Sequence, residues 1–100
     1  MIQHVVMFKM RAFNSKDEKL EILNTIKSAL ESLPSKIKQI KSFDVGINII
    51  ESDRAFDLVL ISTFNSIEDL KIYSDNTEHQ IVAKLIRTYS EKTFSVDCEK

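Results

Sequence analysis

The amino-acid sequence predicts a single α+β domain over residues 1–100, with strands and helical regions in the order β, α, β, β, α, β. Three observations predict it. A chain of 100 residues has room for one hydrophobic core. Four segments are rich in β-branched and bulky apolar residues, and the segments between them carry helix-start signals followed by apolar residues at helical spacing. This order is that of the ferredoxin-like split βαβ arrangement, a four-stranded antiparallel sheet with its helices on one face.

The four predicted strands cover residues 2–10, 40–50, 56–64 and 93–98. The second of them contains Gly46, the only glycine of the chain. Glycine inside a strand is typical of a bulge or a close backbone approach. We therefore expect the sheet to bend at this position.

The helical regions are predicted from their ends. A capping box at residues 15–18 begins the first helix, and Pro34 ends it. Ser66 begins the second helical region, which is predicted to break near residues 75–76 and to start again with Thr77 as the cap.

Both faces of the predicted sheet are apolar. The helices cover one face, and a solvated antiparallel sheet would alternate apolar with polar residues on the other. The sequence therefore predicts a homodimer that packs through the helix-free face, although scattered exposed apolar residues of an ordinary protein surface are the alternative. It does not show which parity of each strand faces the partner. On the first strand the choice is between Val6 with Phe8 and Val5 with Met7, and on the third it is between Leu58 with Leu60 and Val59 with Ile61.

The composition excludes several functions. Fourteen Lys and Arg against fifteen Asp and Glu give a net charge of −1, which argues against nucleic acid and anionic membranes as partners. One glycine excludes a glycine-rich phosphate loop. Cys98 stands alone, so no intramolecular disulfide or thiolate metal cage forms, and a reducing cytoplasm is expected. Neither a secretory signal nor an apolar run long enough for a bilayer is recognisable.

Three residues are candidates for chemistry. His4 and His79 are the only histidines, and histidine exchanges protons near neutral pH. His79 lies in the first turn of a predicted helix, where the helix dipole favours the neutral form that a general base requires. The alternatives are a buried, hydrogen-bonded His4 and a solvated His79. Tyr73 either orients a substrate oxygen or only packs. The two histidines lack metal-ligand spacing, so neither a metal site nor a cofactor is predicted.

The motifs of this chain, taken in their order along the sequence, resemble those of the stress-responsive A/B barrel (Dabb) family. The resemblance rests on residues 4–9, on residues 54–60, and on the spacing between Tyr73 and His79. It implies a dimeric α+β barrel. The family includes stress-induced proteins without an established reaction and plant polyketide cyclases with a histidine-lined cleft. Carried over, the resemblance implies that His79 is the general base, that His4 is its partner or a donor to a substrate oxygen, and that Tyr73 is an orienting hydroxyl.

The sequence departs from the family at three places, one of which is Lys38-Gln39 in place of a common Pro-Gly before the second strand. Asn76 and Thr77 replace a frequent His-Pro pair, and Ile26 offers no hydroxyl near the position where cyclase members place a tyrosine. We therefore expect a homodimer that binds a small molecule in a cleft between sheet and helices without established catalysis. The alternative is a lyase or cyclase acting on a small carbonyl or polyketide-like compound. Convergence of His4, Tyr73 and His79 on one accessible cleft would favour ligand chemistry.

Overall fold

The computed structural model describes all residues, 1–100, and the predicted order of elements is confirmed. The sheet is antiparallel throughout, with the strand order β2-β3-β1-β4 of the ferredoxin-like fold. No helix is both long and apolar enough to span a membrane. The elements are β1 (Ile2–Met10), α1 (Lys16–Glu31), β2 (Ser42–Ile47), β3 (Leu58–Phe64), α2 (Ile67–Asp75), α3 (Thr77–Tyr89) and β4 (Ser90–Glu99).

Serine side chains begin the first two helices as predicted. The Ser15 hydroxyl oxygen accepts the Glu18 N–H at 3.1 Å, and the Ser66 hydroxyl oxygen accepts the Asp69 N–H at 3.1 Å. Each bond satisfies one of the backbone donors that a helix start leaves free. The first helix ends just before Pro34, which cannot continue it.

The helical break near residues 75–76 is confirmed, but Thr77 is not the cap. Asn76 takes that position, and its side-chain oxygen accepts the Glu78 N–H at 2.8 Å. Its backbone is extended, with φ −63° and ψ 136°, and this ends α2 and turns the chain into α3. Thr77 is the first helical residue. Its hydroxyl makes no capping bond because the preceding amide already does so.

The strand parity that the sequence left open is resolved by burial. Val6, Phe8, Leu58 and Leu60 are buried against the helices, where they form the core with Ile26, Leu30, Phe64 and Ile86. The opposite parity forms what we call the helix-free face: Val5 and Met7 on β1, Val59 and Ile61 on β3, and Phe94 and Val96 on β4. Met7, Phe94 and Val96 are exposed there.

The predicted bulge at Gly46 is wrong. Gly46 pairs with Val59 in continuous register and has no positive φ. A Cβ added to it would lie 3.4 Å from the Val59 Cγ1, an ordinary contact. The register instead shifts at the end of β1, where Met10 pairs with Ser90 and one residue of β4 is left over. There α3 passes directly into β4, and the irregular pairing of β1 with β4 accommodates the change from helix to strand.

Candidate functional site

A cavity of about 380 Å³ lies between the helix-facing side of the sheet and helices α2 and α3. Apolar core side chains form much of its wall, including Val6, Leu60 and Ile86. It exists because no helix covers β4, whose residues from Glu91 to Glu99 are all exposed. His4, Tyr73 and His79 all line this one cavity. The structure therefore brings the three sequence candidates together.

His4 lies on the helix-facing side of β1, and its side chain is 15% exposed. Its register partner on β4 is Asp97, whose carboxylate is hydrogen-bonded to the His4 Nδ1. An ionised carboxylate only accepts, so Nδ1 carries a proton. The His4 Nε2 has no partner within the chain, and no buried side-chain nitrogen or oxygen is left unpaired, so Nε2 remains accessible. His4 is thus a hydrogen-bonded histidine, held by a charged partner at the edge of a cavity.

His79 is half-buried in the first turn of α3 rather than solvated. Its Nδ1 lies 3.0 Å from the Ser74 carbonyl oxygen, which can only accept, so the proton resides on Nδ1. Burial lowers the pKa of His79 below the ordinary 6.5; the bond to Ser74 opposes this, and the charges of His4 and Arg87 lower it further. At neutral pH the ring is therefore neutral, with an unprotonated and accessible Nε2.

Tyr73 joins the two histidines. Its ring is almost fully buried, with centroid distances of 4.4 Å to His79, 5.0 Å to Phe64 and 6.2 Å to His4. Burial raises the pKa of the phenol well above its ordinary value, so the hydroxyl stays protonated. The hydroxyl has no hydrogen-bond partner within the chain and is not sealed from solvent. It is a free donor at the cavity wall.

Together these groups can bind an oxygen atom and accept a proton. The Tyr73 hydroxyl donates a hydrogen bond, and the His79 Nε2 presents a lone pair. No group of three or more His, Cys, Asp and Glu side chains lies close enough to hold a metal ion. The chemistry that the residues themselves supply is therefore hydrogen bonding and proton transfer.

Sequence reasoning missed three residues that act on this site. Asp97 binds His4, Ser74 fixes the tautomer of His79, and Arg87 lines the cavity and lowers the pKa of His79. A signal for Asp97 was present. The helix-facing side chains of β4 are polar, namely Thr93, Ser95 and Asp97, whereas those of the other strands are mostly apolar. This is expected for a strand face that no helix covers.

Comparison with known proteins decides the family. The family model described as Stress responsive A/B Barrel Domain, Dabb, matches residues 2–100. The chain belongs to the Dabb family. No curated protein matches this Dabb protein in sequence.

Solved structures similar to this Dabb protein include dimers and an enzyme. A dimeric protein of unknown function with a ferredoxin-like fold, from Bacteroides fragilis, is 33% identical with a TM-score of 0.88, covering 99% of this chain and 95% of its own. A dimeric ferredoxin-like protein from Thermobifida fusca is 17% identical, with a TM-score of 0.84 and coverage of 99% and 90%. A hydroxynitrile lyase from Passiflora edulis is 20% identical, with a TM-score of 0.80 and coverage of 97% and 90%. The latter two similarities show the shared fold alone.

Proposed function

We propose that this Dabb protein is a homodimer that binds a small, largely apolar molecule bearing a carbonyl or hydroxyl oxygen in the cavity between sheet and helices. The observation that carries the proposal is the convergence of His4, Tyr73 and His79 on that cavity. Each of these side chains leaves an accessible polar atom without an internal partner, namely the His4 Nε2, the Tyr73 hydroxyl and the His79 Nε2. Such atoms are stabilised when a ligand satisfies them.

The cavity itself suggests the size and polarity of the ligand. A volume of about 380 Å³ lies at the small end of ligand-binding sites. The mostly apolar wall favours a hydrocarbon or aromatic body, and Tyr73 and the two histidines form one cluster of polar groups within it. A small aryl or alkyl carbonyl compound fits this distribution.

The dimer is supported by the helix-free face. Its side chains at Phe94 and Val96 are 54% and 62% exposed, and Val5, Met7, Val59 and Ile61 adjoin them. A contiguous apolar surface of this kind is typical of a protein interface. The dimeric state of the Bacteroides fragilis protein supports a dimer. The single cysteine remains our reason for proposing a reducing, cytoplasmic location.

Binding is tested with a neutral carbonyl probe. Acetophenone titrated into the 15N-labelled protein should shift amides around the cavity, and Tyr73→Phe should weaken binding roughly 3- to 10-fold because one hydrogen bond is lost without a change in shape. The matched control is Tyr89→Phe, which removes the hydroxyl of the tyrosine packed on Phe13, away from the cavity. Shifts elsewhere on the surface, or equal affinity in both variants, would contradict the proposal.

A second candidate function, a lyase, is favoured by the unprotonated His79 Nε2 beside the Tyr73 hydroxyl. With mandelonitrile as the probe, Nε2 would take the hydroxyl proton while the carbon–cyanide bond breaks and cyanide leaves with the bonding electrons. The new carbonyl oxygen would accept a hydrogen bond from Tyr73, and His79 would return the proton to cyanide.

This candidate predicts a pH profile. A base acts only when deprotonated, so the protein-dependent rate should rise with pH and reach half its maximum below pH 6.5, because the pKa of His79 is lowered. His79→Gln should reduce the rate by about 10²-fold or more. Release of benzaldehyde, followed by absorbance and corrected for the spontaneous reaction, measures it. A rate unchanged by His79→Gln would exclude His79 as the base and leave binding as the function.

A further inference from the structure

The mouth of the cavity contains an arginine without an acidic partner. Arg87 lies on α3, eight residues beyond His79, and lines the same cavity. It forms no ion pair with any carboxylate of the chain. None of the residues lining the cavity is Asp or Glu. Its positive charge is therefore not neutralised from within the protein, and it is close enough to His79 to affect that ring.

Two hydroxyl groups on the sheet line the same cavity as Arg87. Thr93 and Ser95 are exposed on β4, point to the helix-facing side beside Phe8 and Val6, and line the cavity. Neither hydroxyl makes a hydrogen bond within the chain. The cavity is thus lined by two groups of polar side chains: an exposed cation with two exposed hydroxyls, and the less exposed Tyr73 with the two histidines.

We propose that the ligand of this cavity is a keto acid, whose carboxylate is bound by Arg87 with help from Thr93 and Ser95 while its carbonyl oxygen lies at Tyr73 and His79. This rests on the proposed binding function and specifies its ligand class. The planar guanidinium matches a carboxylate in a bidentate manner. One cation and two neutral hydroxyls suit a single negative charge better than a phosphate dianion.

Helix geometry sets the length of the ligand. Eight residues of α3 separate the Cα atoms of His79 and Arg87 by about 12 Å along the axis. Both side chains lean toward the helix N-terminus, and because the arginine side chain is the longer of the two, its guanidinium reaches closer to the His79 ring than that distance. A carbonyl and a carboxylate separated by three or four carbons are therefore the expected spacing.

Arg87 also lies in the last turn of α3, where a cation interacts favourably with the helix dipole. That role concerns folding alone and does not depend on the charge of a ligand. A matched pair of probes that differ only in charge separates the two roles.

The probes are 4-benzoylbutyrate and its neutral methyl ester, titrated into the full chain by calorimetry, with amide shifts locating the site. We expect the carboxylate to bind at least about tenfold more tightly than the ester. Arg87→Gln should abolish that preference, because it weakens binding of the acid far more than binding of the ester, and Arg87→Lys should retain part of it. Lys84→Gln, which removes an exposed cation of the same helix outside the cavity, is the control and should change neither affinity.

The outcomes distinguish this inference from the proposed function. Equal affinities for acid and ester, with both bound in the cavity, would overturn the keto-acid inference and leave small-molecule binding intact. A lower melting temperature of Arg87→Gln with an undiminished carboxylate preference would also overturn it, because Arg87 would then serve only the helix. If neither probe shifts the cavity amides of the unmodified protein, both proposals fail.

Discussion

Replacing Val96 with aspartate is expected to convert the proposed dimer into monomers. Val96 lies on the helix-free face beside Val5 and is 62% exposed in the single chain, so folding does not depend on it. In a symmetric dimer the substitution enters the interface twice. An uncompensated charge buried in an interface costs about 3–5 kcal/mol, so the dissociation constant should rise by at least about 10²-fold. Sedimentation at micromolar concentration should change from twice the chain mass of 11.5 kDa to that mass.

The control for this substitution is Ile81→Asp. Ile81 is 59% exposed, almost as much as Val96, but lies on α3, on the other side of the molecule. It should remain a dimer, and circular dichroism should show both variants folded. A dimeric Val96→Asp protein, or a monomeric unmodified protein, would show that the helix-free face is not the interface.

The sequence predicted the faces of the sheet better than its registers. A period of two separates Val6 and Phe8 from Val5 and Met7 whatever β1 pairs with, so the apolar character of both faces was readable. That Asp97 lies opposite His4 depends on the pairing of β1 with β4. This register is set by contacts between residues 93 positions apart in the chain, which no local pattern encodes.

The predictions for the cap of α3 and for Gly46 were wrong for a related reason. Asn76 and Thr77 are both good capping residues, and which of them caps α3 depends on where the backbone leaves α2. Gly46 suggested a bend because glycine is uncommon inside strands, but the irregular pairing lies where α3 runs into β4 without a loop. Local signals identified the elements correctly, while the tertiary connections decided the details at their ends.

The candidate site, like the fold, could be predicted from the sequence only in part. Its three candidate side chains could be named because histidine and tyrosine are rare in this chain and chemically distinctive. The contribution of Arg87 could not, because an arginine in the last turn of a helix is ordinary. Arg87 becomes a candidate ligand contact only because no acidic residue lines the cavity that it lines. Only folding brings this free cation and the polar residues of β4 to one cavity.

Asp57 secures the end of the sheet where β1 ends and β3 begins. Its backbone N–H donates to the Phe8 carbonyl oxygen at 2.9 Å and extends the β1–β3 ladder by one residue. Its carboxylate accepts the Met10 N–H at 2.7 Å, at the point where the pairing of β1 with β4 slips. The other carboxylate oxygen lies 2.7 Å from the Lys19 Nζ and so ties α1 to the sheet. One buried carboxylate thus replaces a missing strand partner and holds a helix.

Asp57→Ala should therefore lower the free energy of unfolding by roughly 2–3 kcal/mol, because it leaves the Met10 N–H without its acceptor and removes the ion pair with Lys19. The melting temperature should fall by roughly 10–20 °C, measured at one protomer concentration because dimers gain stability with concentration. Asp57→Asn retains an acceptor for Met10 but loses the charge, so its loss should be smaller. Asp53→Ala, at an exposed residue without hydrogen bonds or ion pairs, is the control and should change little. If Asp57→Ala melts like this control, the carboxylate is not what secures this end of the sheet.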